Sequence, residues 1–79
     1  MKNVKILGTG CRNCQATLSL VEEVARASGV AIDLEKVDQI QDIMSYRILA
    51  TPGVVIDGEV VHAGGVPERK KVEEWFETV

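Results

Sequence analysis

Aromatic residues are scarce in this chain, with one Trp, one Tyr and one Phe among 79 residues. Basic residues are few as well, nine Lys/Arg against twelve Asp/Glu for a formal charge of −3, and they are scattered. The chain therefore has neither the basic patch nor the stacking platform that nucleic acid demands, and nucleic acid is excluded as a partner. Long apolar runs are missing too. The first, Val4-Lys5-Ile6-Leu7, breaks at Gly8, too short for a signal-peptide core or a membrane span. A cytoplasmic protein with no membrane partner is expected. Histidine occurs once, at His62. Together with two cysteines it falls short of the four ligands of a structural zinc site, so no metal or cofactor is expected and His62 reads as a strand residue. No stretch is low in complexity. A single domain over 1–79, acting as a monomer, is the simplest organisation, and with 46% apolar residues it can build a core despite its small size.

What the chain does have is Cys11-Arg12-Asn13-Cys14, which contains both of its cysteines. The run before it reads as a strand over 3–8, and Gln15 through Ala27 reads as a helix. The first thiol then lies at or near a helix N-cap, where backbone N–H groups and the helix dipole favour a thiolate, and Arg12 adds a cation. Cys14 points one turn into the helix, on the side of Leu18 and Val21. A bridge across two residues closes too short a loop to staple a fold. In a reducing compartment such a pair is either redox-catalytic or metal-binding.

The remaining elements follow from periodicity. Leu18, Val21 and Ala25, with Leu20, Val24 and Ala27 adjoining, give the helix a broad apolar face, and Gly29 ends it. Val30, Ile32 and Leu34 alternate with Ala31, Asp33 and Glu35, as in an edge strand. Asp38 is the expected N-cap of a short second helix, running to about Tyr46, with Ile40, Ile43 and Met44 facing inward. Asp57-Gly58 between Val54-Val55-Ile56 and Glu59-Val60-Val61-His62 is a strong hairpin signal. Pro67 fits the first turn of a last helix, in which Val72, Trp75, Phe76 and Val79 form one stripe. The fold class is α/β: βαβ followed by ββα, with a four-stranded mixed sheet and three helices.

This order resembles the thioredoxin and glutaredoxin superfamily, and in particular its smallest redox-active disulfide members. The resemblance covers essentially the whole chain. It rests on the CxxC between first strand and first helix and on Ala50-Thr51-Pro52-Gly53-Val54-Val55-Ile56-Asp57-Gly58 around the hairpin. The resemblance implies a thiol–disulfide oxidoreductase in which Cys11 is the exposed nucleophile and Cys14 resolves the mixed disulfide. It further implies a cis Pro52 beside the disulfide and, at Thr51, Pro52 and Arg12, a surface for substrate. Its partners would be protein disulfides and a thiol or disulfide reductase.

Some residues depart from the family pattern. Arg12-Asn13 replaces the Gly-Pro or Pro-Tyr found between the cysteines of better-known members, so their reduction potentials do not transfer. Lys5 stands where thioredoxins place a buried acid, leaving no carboxylate evident beside Cys14. The rival reading is a soft-metal module binding Cu(I) through the same two thiolates, as in copper chaperones. Those domains usually carry a Met before the motif and end in a strand, whereas Gly8-Thr9-Gly10 precedes the motif here and a helix is expected at the end.

Overall fold

A computed structural model describes residues 2–48 and 50–77 of the chain. Its elements run β1 (Lys2–Leu7), α1 (Arg12–Ser28), β2 (Ile32–Val37), α2 (Ile40–Ser45), β3 (Gly53–Ile56), β4 (Glu59–Ala63) and α3 (Arg69–Glu77). The four strands form one sheet in the order β2-β1-β3-β4. β1 pairs in parallel with β2, while β1 with β3 and β3 with β4 are antiparallel. The expected βαβ and ββα units are thus joined into one mixed sheet, with β1 inside it and β2 at one edge.

The location of the core follows from the pleat of β1. Val4 and Ile6 point to the face covered by α1 and α3, where they pack with Val21, Val24, Ala25, Val54, Ile56, Val72 and Phe76. Leu7 points to the opposite face and meets Val55 and Ile43 of α2. Full burial of a Val or Leu side chain is worth about 1.5–3 kcal/mol, and Val4, Leu7, Val21, Val24, Val54, Val55 and Val72 are all fully buried. These contacts hold the sheet between its helices. The exposed ion pair of Arg69 with Glu23, 3.1 Å, links α3 to α1 but adds little in solvent.

The turns are set by local chemistry. Asp57 and Gly58 adopt φ of 50° and 86°, the left-handed pair a two-residue hairpin loop requires. Asp57 also ties the hairpin to β1: its N–H donates to the Asn3 carbonyl at 2.8 Å, and its carboxylate accepts from the Asn3 N–H at 3.0 Å. Gly29, at φ 69°, closes α1. The Val30 N–H then reaches back to the Ala25 carbonyl at 3.0 Å, and Val30 packs against the core. That C-terminal closure is why β2 begins at Ile32 rather than at Val30.

Several boundaries differ from the sequence expectation. α1 begins at Arg12 rather than Gln15, because the cysteine pair belongs to its first turn. Its Ala27 is exposed, since Val24 and Ala25 already fill that end of the buried face. α2 is capped by Gln39, not Asp38, with no side-chain cap bond. Only Ile43 of α2 turns inward; Ile40 and Met44 are 64% and 68% exposed. A helix of one and a half turns presents a single residue squarely to a flat sheet. α3 begins at Arg69, and its first hydrogen bonds run to the Glu68 carbonyl, so Pro67 precedes the helix instead of opening it. Val72 and Phe76 are buried and Trp75 is partly buried as expected, while Val79 of the same stripe lies outside the described residues. No helix among the described residues is long and apolar enough to cross a membrane.

Candidate active site

Gly8, Thr9 and Gly10 carry the chain from β1 to α1, and Gly10 makes the turn at φ 88°, a conformation that favours glycine. Cys11 follows as the N-cap in extended conformation. Its sulfur accepts from the Cys14 N–H at 3.1 Å, and its carbonyl accepts the first helical bond from the Gln15 N–H at 3.0 Å. A cap normally supplied by a hydroxyl or carboxylate is here supplied by sulfur, so the Cys11 sulfur sits at the N-terminal end of a 17-residue helix. That first turn contains no acid, which leaves the positive end of the dipole available to Cys11.

Cys11 and Cys14 form a disulfide with their Cα atoms 5.0 Å apart, within the usual bridging range. The two differ in access. Cys11, Arg12 and Asn13 are exposed, whereas Cys14 is only 6% exposed. Solvent therefore reaches Cys11 far more than Cys14.

The Thr51-Pro52 bond is cis, as the resemblance implied. β3 runs antiparallel to β1, with Leu7 opposite Gly53. Pro52, one residue before Gly53, thus stands at the end of the sheet from which β1 leads to the cysteines. Pro52 is buried and Thr51 exposed. The Pro52 carbonyl accepts from the Gly64 N–H at 2.8 Å, fixing this corner to the end of β4. His62 lies on β4, its Nε2 2.9 Å from the Gly65 carbonyl and its ring 6.2 Å from that of Trp75. The fold does not gather it with the cysteines into a cluster: among the described residues, no group of three or more His, Cys, Asp or Glu is placed to hold a metal.

Three features escaped the sequence reading. Gly8 is buried directly behind Cys14, and a Cβ at Gly8 would overlap the Cys14 sulfur. Thr17, fully buried, faces the sheet one turn after Cys14; its hydroxyl donates to the Asn13 carbonyl at 2.8 Å, so a polar residue occupies the apolar face at no unsatisfied cost. Lys36 and Asp38 line a cavity of about 40 Å³ together with Cys14, Gly8 and Leu18. The parallel register that pairs Ile6 with Lys36 brings them there, a relation that sequence spacing does not reveal. Lys5 turns instead to the opposite face. Its ammonium lies 3.4 Å from the Tyr46 hydroxyl, and this hydrogen bond, with the nearby charges of Glu35 and Asp42, holds its pKa above the ordinary lysine value.

A wider depression of about 430 Å³ runs between α1 and β2 past Glu22, Arg26 and Ile32. It contains no thiol.

Comparison with known proteins agrees with this geometry. The model of the thioredoxin domain family matches residues 2–77. A thioredoxin of Methanothermobacter thermautotrophicus is 30% identical over 73 residues, covering 92% of this chain and 95% of the relative. A thioredoxin of Methanocaldococcus jannaschii is 30% identical over 71 residues, covering 90% of this chain and 81% of the relative. A probable thioredoxin of Methanothermobacter thermautotrophicus is 35% identical over 72 residues, covering 87% and 80%. With its redox-type cysteine pair at the head of α1 and a match along nearly its whole length, the chain belongs to the thioredoxin domain family, whose chemistry is thiol–disulfide exchange.

Proposed function

We propose that this protein exchanges two electrons with disulfides of other proteins, Cys11 attacking as the thiolate and Cys14 resolving the mixed disulfide. The observation that carries this reading is the unequal exposure of two cysteines joined at one helix N-terminus, Cys11 open to solvent and Cys14 6% exposed. The oxidised pair is then re-reduced by a small thiol or a disulfide reductase. An extended substrate segment would dock along Thr51 and Arg12, both exposed, with the buried Pro52 between the strands behind them. The protein works as a single-domain monomer in a reducing compartment such as the cytoplasm. The soft-metal alternative is not favoured, since the match to the thioredoxin domain family runs over residues 2–77.

The test is turnover of a protein disulfide, such as those of insulin, with dithiothreitol as electron donor. The protein is expected to accelerate reduction well beyond dithiothreitol alone; no acceleration would sink the reading. Arg12 bears on the same equilibrium. Because its charge favours the Cys11 thiolate, it favours the reduced form, and Arg12→Ala is expected to shift the potential to more negative values. One unit of thiol pKa corresponds to about 30 mV in a two-electron couple. For an exposed and screened Arg12, about 15 mV or less is expected, shrinking in high salt. A shift of opposite sign, or one indifferent to salt, would mean that the helix terminus alone sets the thiolate.

A further inference from the structure

β4 contains an irregularity that disulfide exchange itself does not require. In its pairing with β3, Val54 stands opposite His62 but Val55 stands opposite Val60, so Val61 is an extra residue. Such a bulge re-aims the side chains beside it. Val61 packs against the core beneath α1 and α3, and His62, next in sequence, turns to the same side, its ring 6.2 Å from the Trp75 ring of α3. There its Nε2 lies 2.9 Å from the Gly65 carbonyl. A carbonyl can only accept, so Nε2 carries the proton and donates.

That carbonyl belongs to a loop that needs holding. Gly64 and Gly65 both lie in the left-handed region, at φ 86° and 72°, and two adjacent glycines have more backbone freedom to lose than any other pair. The loop reaches the Pro52 corner on its other side. The Gly64 N–H donates to the Pro52 carbonyl at 2.8 Å, and a Cβ at Gly64 would stand 3.3 Å from the Ala50 Cβ. A chain of hydrogen bonds thus runs from the His62 ring through the loop to Pro52.

We propose that His62 is a positioning residue for substrate docking: it fixes the Gly64–Gly65 loop, and the loop fixes the Pro52 carbonyl and the adjoining Thr51 along which a substrate would lie. The proposal rests on the docking reading above. His62 acts through the loop rather than on the sulfurs, so the chemistry at Cys11 is left alone and only affinity for an extended partner responds. Loss of one hydrogen bond shifts the population of the anchored loop by about two- to tenfold, and that factor bounds the fall in apparent affinity. A small disulfide, which needs no docking edge, is indifferent to it.

The experiment mixes reduced protein with excess insulin and, separately, with dithiobis-nitrobenzoate, and compares the second-order rate constants. His62→Leu keeps the volume beside Trp75 but has no donor. It is expected to slow insulin reduction by about two- to tenfold and to leave the first release from dithiobis-nitrobenzoate unchanged. His62→Gln, whose side-chain N–H has a similar reach, is expected to recover the insulin rate. An equal fall with both reagents, an unchanged insulin rate in His62→Leu, or a His62→Gln no better than His62→Leu would overturn the proposal. His62→Asn, whose amide is too short for the Gly65 carbonyl, takes the place of His62→Leu if the latter does not fold. A second measurement needs no substrate: hydrogen exchange of the Gly64 amide is expected to quicken by about two- to tenfold in His62→Leu and to return in His62→Gln. Unaltered exchange at Gly64 refutes the coupling. Failure of the unaltered protein to reduce insulin refutes the exchange reading instead, and the Gly64 amide then decides the coupling by itself.

Discussion

Cys14→Ser is expected to accumulate long-lived mixed disulfides with protein substrates, whereas Cys11→Ser is expected to form none and to lose all exchange. The asymmetry follows from access: Cys11 is exposed and sits at the N-terminal end of α1, and Cys14 is buried behind it. Serine at position 11 is itself a good N-cap, so Cys11→Ser should keep α1 and the fold intact, which circular dichroism checks. Non-reducing electrophoresis followed by mass mapping reads the trapped complexes and the sulfur that carries them. Partial alkylation of the reduced protein gives an independent answer, with iodoacetamide expected on Cys11 first. Label found mainly on Cys14, or equal trapping by both variants, would reverse or abolish the division of labour.

The second large effect is expected at Gly8. Its backbone is ordinary, so alanine is conformationally allowed, but the added Cβ would overlap the Cys14 sulfur and lie 3.0 Å from the Cys14 Cβ. Overpacking of this kind typically costs about 1–3 kcal/mol. In a domain of this size each kcal/mol lowers Tm by about 4–8 °C. The cost falls unevenly on the two redox states, because the Cys14 sulfur is held by Cys11 when oxidised and is free to rotate when reduced. Gly8→Ala is therefore expected to destabilise the oxidised protein more and to move the potential to less negative values, about 30 mV for each 1.4 kcal/mol of difference. Equal losses of Tm in both states with an unmoved potential would show that the backbone, rather than the sulfur, yields to the methyl group.

Much of the fold was legible because its signals are local. Asp57-Gly58 carries its turn in two residues, Gly29 ends α1 by its own backbone, and the alternation over Ile32 and Leu34 marks an edge strand wherever it is placed. The cysteine pair was legible for the same reason, since the strand before it and the helix after it are contiguous in sequence. What was not legible depends on pairing or on competition between faces. Ile40 and Met44 read as core residues because period 3.6 alone does not say how few residues of a short helix reach a sheet. Asp38 read as a cap because its chemistry suits one, yet β2 extends to Val37 and delivers Asp38 to the cavity beside Cys14. Gly8 gave no signal at all, its importance lying in a sulfur six residues away.

The central claim is that Cys11 and Cys14 cycle between dithiol and disulfide at a potential useful for exchange. It is tested most directly by equilibrating the protein in graded ratios of oxidised and reduced dithiothreitol and counting its free thiols at each ratio after acid quench. The account predicts one reversible two-electron transition, from two thiols to none, with a midpoint within the range of known exchangers, roughly −120 to −270 mV. Thiols that stay reduced at every ratio, together with tight uptake of Cu(I) by the reduced pair, would contradict it.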